Sequence, residues 1–101
     1  MAWSIALDVI EDVRGSIAMF LFIIEEAIQT AGMACYILMR LKKYDELRDQ
    51  AQWAIDNLIN PALDFVQNYG FAAYPLNLAY ESFYKAAKRT FETYLKIQGT
   101  S

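Results

Sequence analysis

The segment IAMFLFIIEEAIQTAGMACYILM, Ile17 to Met39, is the most apolar run of the chain, and two adjacent glutamates, Glu25 and Glu26, sit near its middle. It is far longer than the roughly 5–6 residues of an ordinary strand and contains no proline, so it reads as helix. On a helical wheel, Ile17, Phe20, Leu21, Ile24, Ile28, Ala31, Cys35 and Leu38 share one face. The opposite face holds Glu26, Gln29 and Thr30, but also Met19, Phe22, Met33 and Ile37. A face that only water covers is mostly polar, whereas a helix apolar nearly all round is covered nearly all round. One face is therefore expected to point into a core. The second is expected to meet another subunit or lipid, and Met19, Phe22, Glu26, Met33 and Ile37 form the candidate oligomer interface.

Magnitudes weigh subunit against lipid. At about 1.5 Å per residue the run is roughly 35 Å long, enough to cross a hydrocarbon core of about 30 Å. Its Leu, Ile and Phe residues each favour insertion by roughly 0.3–0.6 kcal/mol, while each central glutamate opposes it by about 2.5–3.5 kcal/mol. The balance is near zero or unfavourable. An isolated span is not expected; a helix inside a membrane complex, with the glutamates hidden, is the alternative.

Working outward, the flanking segments also read as helix. Ser4 is a suitable N-cap, and Ala6, Val9, Ile10 and Val13 run in phase into Ile17. Two readings compete: one long helix from residue 4 to 41, or a short N-terminal helix, 4–14, followed by a long one, about 16–41. The in-phase stripe argues for continuity. Gly15, costing about 1 kcal/mol inside a helix, argues for a break or bend, which is the reading adopted. Arg40, Lys42 and Lys43 then place positive charge at the C-terminal end of the helix dipole.

A second long helix is expected over 43–69. Tyr44, Leu47, Ala51, Ala54, Leu58, Ala62, Phe65 and Tyr69 recur at steps of three and four, close to a heptad. Pro61 interrupts the backbone pairing but not this seam, so a kink rather than an end is expected there. Asn68-Tyr69-Gly70 is a stop signal, Phe71 to Tyr74 a linker, and Pro75 opens a third long helix, 75–98. Leu76, Tyr80, Phe83, Ala87, Phe91 and Tyr94 give that helix an apolar face. Glu81, Lys85, Lys88, Glu92 and Lys96 give it an outer one with ion-pair spacings, and Gly99 ends it. The expected fold is all-α: a small bundle forming a single domain over residues 1–101.

Composition bears on function by exclusion. With no histidine, the commonest general base is missing, and so are Ser-His-Asp arrangements and the Glu-x-x-His di-iron sites of bundles. One cysteine, Cys35, forms neither an internal disulfide nor a Cys/His zinc site, and its place on the apolar stripe suits a reduced core residue in an intracellular setting. No basic leader precedes the first acidic residue, Asp8, so no secretory signal is expected. No glycine-rich phosphate loop occurs. Glu25 and Glu26 diverge by about 100° on a helix, which keeps them from sharing a proton or a metal within one chain. Lys85, Lys88, Arg89 and Lys96 are too few for a nucleic-acid stripe on a chain of net charge −3. No enzymatic activity and no cofactor or metal are expected.

What stands out is apolar excess. Hydrophobic residues make up 56% of the chain, against a usual share of about 45–50%, and a chain this short has a thin core. The surplus has to lie on the surface, where apolar patches mark interfaces. The sequence therefore leads to a non-enzymatic, self-associating helical subunit of a coat, filament or scaffold, a cytoplasmic homo-oligomer. The alternative is a small membrane-associated accessory subunit with residues 17–39 embedded.

Overall fold

The N-terminal 39 residues after Met1 form one uninterrupted helix, α1 (Ala2–Arg40). The structure, a computed structural model, describes the backbone of residues 2–69 and 76–98 and the side chains of residues 15–68 and 78–98. The remaining elements are α2 (Tyr44–Ala54), a π-helical turn (Ile55–Ile59), α3 (Asn60–Tyr69) and α4 (Leu76–Leu95). The chain is all-α, as its periodicity predicts, with no strand among the described residues. The expected features at Gly70, Phe71 to Tyr74, Pro75 and Gly99 lie outside the described residues.

The expected break at Gly15, separating a 4–14 helix from the next, does not occur. Gly15 is helical and exposed, and no atom crowds the place where its Cβ would be. Its conformational freedom costs about 1 kcal/mol, which local propensity alone cannot convert into a break when the flanking turns propagate in phase. Continuity has the geometric result such a helix demands. The molecule is 67 Å long and 18 by 16 Å across, with a radius of gyration of 17.2 Å, against about 13 Å for a compact chain of this size.

α1 ends in a Schellman arrangement. The Lys43 N–H donates to the Leu38 carbonyl (2.9 Å) and the Lys42 N–H to the Met39 carbonyl (3.1 Å). Lys42 takes the left-handed conformation (φ 60°) that glycine usually supplies there. This turn folds α2 back along α1.

α2, the π turn and α3 form one continuous rod, so the chain runs on through Pro61, as the surviving seam predicts. The irregularity sits one turn earlier, over Ile55–Ile59, where the Asn60 N–H donates to the Ile55 carbonyl five residues back. Proline has no N–H, and its ring crowds the carbonyl four residues before it. A widened turn ahead of Pro61 accommodates both. The extra residue moves the inward face along by one. Leu47, Ala51 and Ala54 are buried before it; Ile55, Ile59, Ala62 and Val66 are buried after it. The seam residues Leu58 and Phe65 are left half-buried.

The third rod, α4, closes the core. Tyr84 and Phe91 are buried, and Tyr80, Phe83, Ala87 and Tyr94 are partly so. The Tyr84 hydroxyl donates to the Leu21 carbonyl of α1 at 3.2 Å, tying the two rods at mid-length. Arg48 of α2 donates to the Ile97 carbonyl just beyond α4 and pairs with Asp45. Lys85 and Glu81 pair at 3.0 Å on the outer face, as their spacing predicts.

Candidate interaction face on α1

The core needs only one side of α1. Leu21, Ile28, Ala31 and Cys35 are buried against the other rods, with Ile17, Ile24 and Leu38 packed beside them. Phe20, on the edge of that face, is partly exposed but sets its ring against Phe65 of α3, centroids 4.8 Å apart. Cys35 is a core residue, and burial pushes its thiol up to about 11.

Among the described residues nothing packs against the opposite side. Met19, Phe22, Met33 and Ile37 are all exposed, from 50% at Phe22 to 67% at Met33. Glu26, the fifth residue of the predicted set, is exposed among them. The structure thus brings all five together on one helix face. It adds Ile23, Tyr36 and Leu41, each more than half exposed, which sequence reasoning left out. The signal was present: Met19, Ile23, Glu26, Thr30, Met33 and Ile37 follow one another at alternating steps of four and three. That spacing defines a second seam on the back of α1, distinct from the one that packs the core.

The seam has two apolar ends and a polar middle. Glu26, Gln29 and Thr30 occupy the middle, and the Thr30 hydroxyl donates to the Glu26 carbonyl at 3.0 Å. Beside it a shallow groove of about 360 Å³ runs between α1 and α2, lined by Ala27, Thr30, Ala34, Gln50, Leu58 and the half-exposed Trp53.

The adjacent glutamates divide as helix geometry requires. Glu26 faces outward, while Glu25 is half-buried on the α4 side, where the Tyr80 hydroxyl bonds to it. Burial, then the bond to Glu25 and its charge, raise the Tyr80 phenol. Among the described residues no group of three or more His, Cys, Asp or Glu side chains gathers where a metal would sit.

Gly15–Arg40 is long and apolar enough to cross a membrane by length and composition, and only 17% of its most apolar window is buried. The apolar character of α1 therefore exceeds what its own core uses. No protein-family model matches the chain, and neither does a curated protein or a solved structure.

Proposed function

We propose that the protein is a non-enzymatic helical building block that self-associates through the outer face of α1, as a structural or scaffolding subunit of a larger assembly. The observation that carries this reading is the unpartnered seam of Met19, Ile23, Met33 and Ile37, backed by Phe22, Tyr36 and Leu41. Monomeric proteins seldom expose a contiguous apolar patch above a few hundred Å². A rod 67 Å long with one sticky side is a shape suited to lateral assembly. The other rods turn charged outer faces to water, with Asp45, Glu46, Asp49 and Asp56 on one and Lys85 and Arg89 on the other.

The runner-up is an accessory subunit of a membrane complex with residues 17–39 embedded, and the apolar, largely unburied stretch Gly15–Arg40 favours it. It has to contend with the packing of α1. Leu21 is bonded by Tyr84 and Phe20 sets its ring against Phe65, so the charged rods lie alongside the same stretch. Inserting it would either carry those charges into lipid or open the bundle, each at a cost of several kcal/mol. Assembly in water costs neither.

The experiment is light scattering on the full chain purified without detergent, beside Phe22→Asp. The wild type should exceed monomer mass at micromolar concentration. Phe22→Asp should give a monomer of unchanged helicity, since a half-exposed side chain can carry charge without entering the core. A monodisperse wild-type monomer would overturn self-association, and a wild type recovered only in detergent would promote the membrane reading.

A further inference from the structure

We infer that the occupant of this face is a second copy of the chain, packed antiparallel on α1 about a two-fold axis that crosses the seam midway between Glu26 and Thr30, level with Ile28. This inference rests on the self-association proposed above and fixes its geometry. Residues at alternating steps of four and three form the contact line of a two-helix coil, and two orientations are open to it. In a parallel pair each layer joins identical residues. Glu26 would then face the partner's Glu26 between apolar layers, and Arg40, the next residue on the seam, would face the partner's Arg40. Like charges opposed across a contact are destabilising.

In the antiparallel pair the layers join unlike residues, and the sequence is close to a palindrome for that pairing. With the axis crossing the outer face at the level of Ile28, Met19 meets the partner's Ile37 and Ile23 meets the partner's Met33. Glu26 meets the partner's Thr30, a hydroxyl on the opposite end of the polar strip. The four apolar layers flank two polar ones, and each Glu26 carboxylate faces a Thr30 hydroxyl, whose one proton it can accept by drawing it from the Glu26 carbonyl of that hydroxyl's own helix. Gln29, beside the seam, meets the partner's Gln29 near the axis, while Phe22 meets the partner's Tyr36. Sliding either copy by one heptad sets Glu26 against Ile23 or Ile37, leaving a carboxylate among apolar groups. The polar middle thus selects both orientation and register, the role polar residues have in coiled-coil seams.

The area suffices. Each large apolar side chain on this face is at least half exposed, which for residues of this size amounts to on the order of 700 Å² per copy, near the roughly 800 Å² per partner of a stable interface. A two-fold contact uses the same face on both copies and closes on itself. It would make the dimer the repeating unit, with the outer faces of the other two rods left for any further contact.

Cysteine cross-linking of the full chain tests it, using Ile23→Cys and Met33→Cys singly and mixed under mild oxidation. Both sites are exposed, so neither change disturbs the core, and wild type with its buried Cys35 is the control. In the inferred pair, position 23 lies across from the partner's position 33. It stands ten residues, about 15 Å, along the axis from the partner's position 23, well beyond the roughly 7 Å Cα limit for a disulfide. A covalent dimer should appear in the mixture and contain one of each variant, with neither variant cross-linking alone. Homodimers of either single variant would show a parallel pair, overturning the antiparallel inference and leaving self-association intact. No cross-link in any sample, with light scattering still above monomer mass, would place the contact elsewhere and likewise overturn it. Monomer mass throughout would remove the self-association on which it rests.

Discussion

The two faces of α1 are built from the same kinds of residue and meet different fates. Leu21, Ile28, Ala31 and Cys35 on one side are buried; Met19, Ile23, Met33 and Ile37 on the other stand in solvent. Mean hydropathy does not separate them. What separates them is the number of rods available: two helical rods can cover one side of a third, and nothing else among the described residues remains to cover its back. Among the described residues, α1 has more apolar surface than the other two rods cover.

The sharpest break in that comparison comes from matched truncations. Leu21→Ala should cost about 2–5 kcal/mol, because it empties space that the surrounding rods fill only in part. Met33→Ala should change the stability of the isolated chain by no more than about 0.5 kcal/mol, as for exposed sites away from special features. Urea titrations at concentrations dilute enough to hold the chain monomeric would read both. Equal losses would mean that the back of α1 is packed within one chain, contrary to its exposure. If Met33→Ala costs more only as protein concentration rises, the difference measures association.

Much of this contrast is legible in the sequence, and what is not has particular causes. The inward stripe of α1 and the back-face set from Met19 to Ile37 follow from the wheel alone. Tyr84 does not: it sits inside the apolar face of α4, but nothing in its spacing tells a tyrosine at the centre from one at the rim. Only the approach of the Leu21 carbonyl gives its hydroxyl a buried partner. Ile55, Ile59 and Val66 are missed for a different reason. A seam read at constant pitch cannot anticipate the one-residue shift that the π turn introduces, although Pro61 marks the neighbourhood. Gly15 misleads because propensity acts per residue, whereas a helix forms cooperatively.

Tyr84 offers an intermediate effect that belongs to the inner face alone. Burial, then the nearness of Tyr80 and of the Glu25 charge, hold its phenol well above the usual range. Tyr84→Phe should cost about 1 kcal/mol at neutral pH through loss of the bond to Leu21. The pH dependence has a definite sign. An unfolded tyrosine releases its proton near pH 10, while the folded one retains it to higher pH. The unfolded state then binds fewer protons, so stability present below pH 10 or so declines as pH rises further. Cys35, raised from 9.0 to about 11, adds a decline of the same sign beginning lower. Denaturant midpoints measured from neutral to strongly alkaline pH should fall less steeply beyond about pH 10 in Tyr84→Phe than in wild type. Identical slopes would mean that the phenol ionises as freely in the folded chain as in the unfolded one.

A small gain in stability, rather than a loss, is expected on α1 at Gly15. Gly15 is helical, exposed and uncrowded: apart from its chain neighbours and the local helix backbone, nothing lies within 4 Å of where a Cβ would sit. Nothing in its surroundings asks for glycine, so it contributes only the flexibility that favours the unfolded chain. Gly15→Ala should therefore stabilise the helix by about 0.5–1 kcal/mol, seen as added helical signal and a higher midpoint in thermal circular dichroism. The sign matters more than the size. If α1 bends at Gly15 in solution, alanine would stiffen the bend and leave stability unchanged or lower. Because α1 is one uninterrupted helix, the gain should persist in Phe22→Asp, where the oligomer is expected to be gone. A gain confined to the oligomer would instead assign the order of this segment to the neighbouring copy rather than to the helix itself.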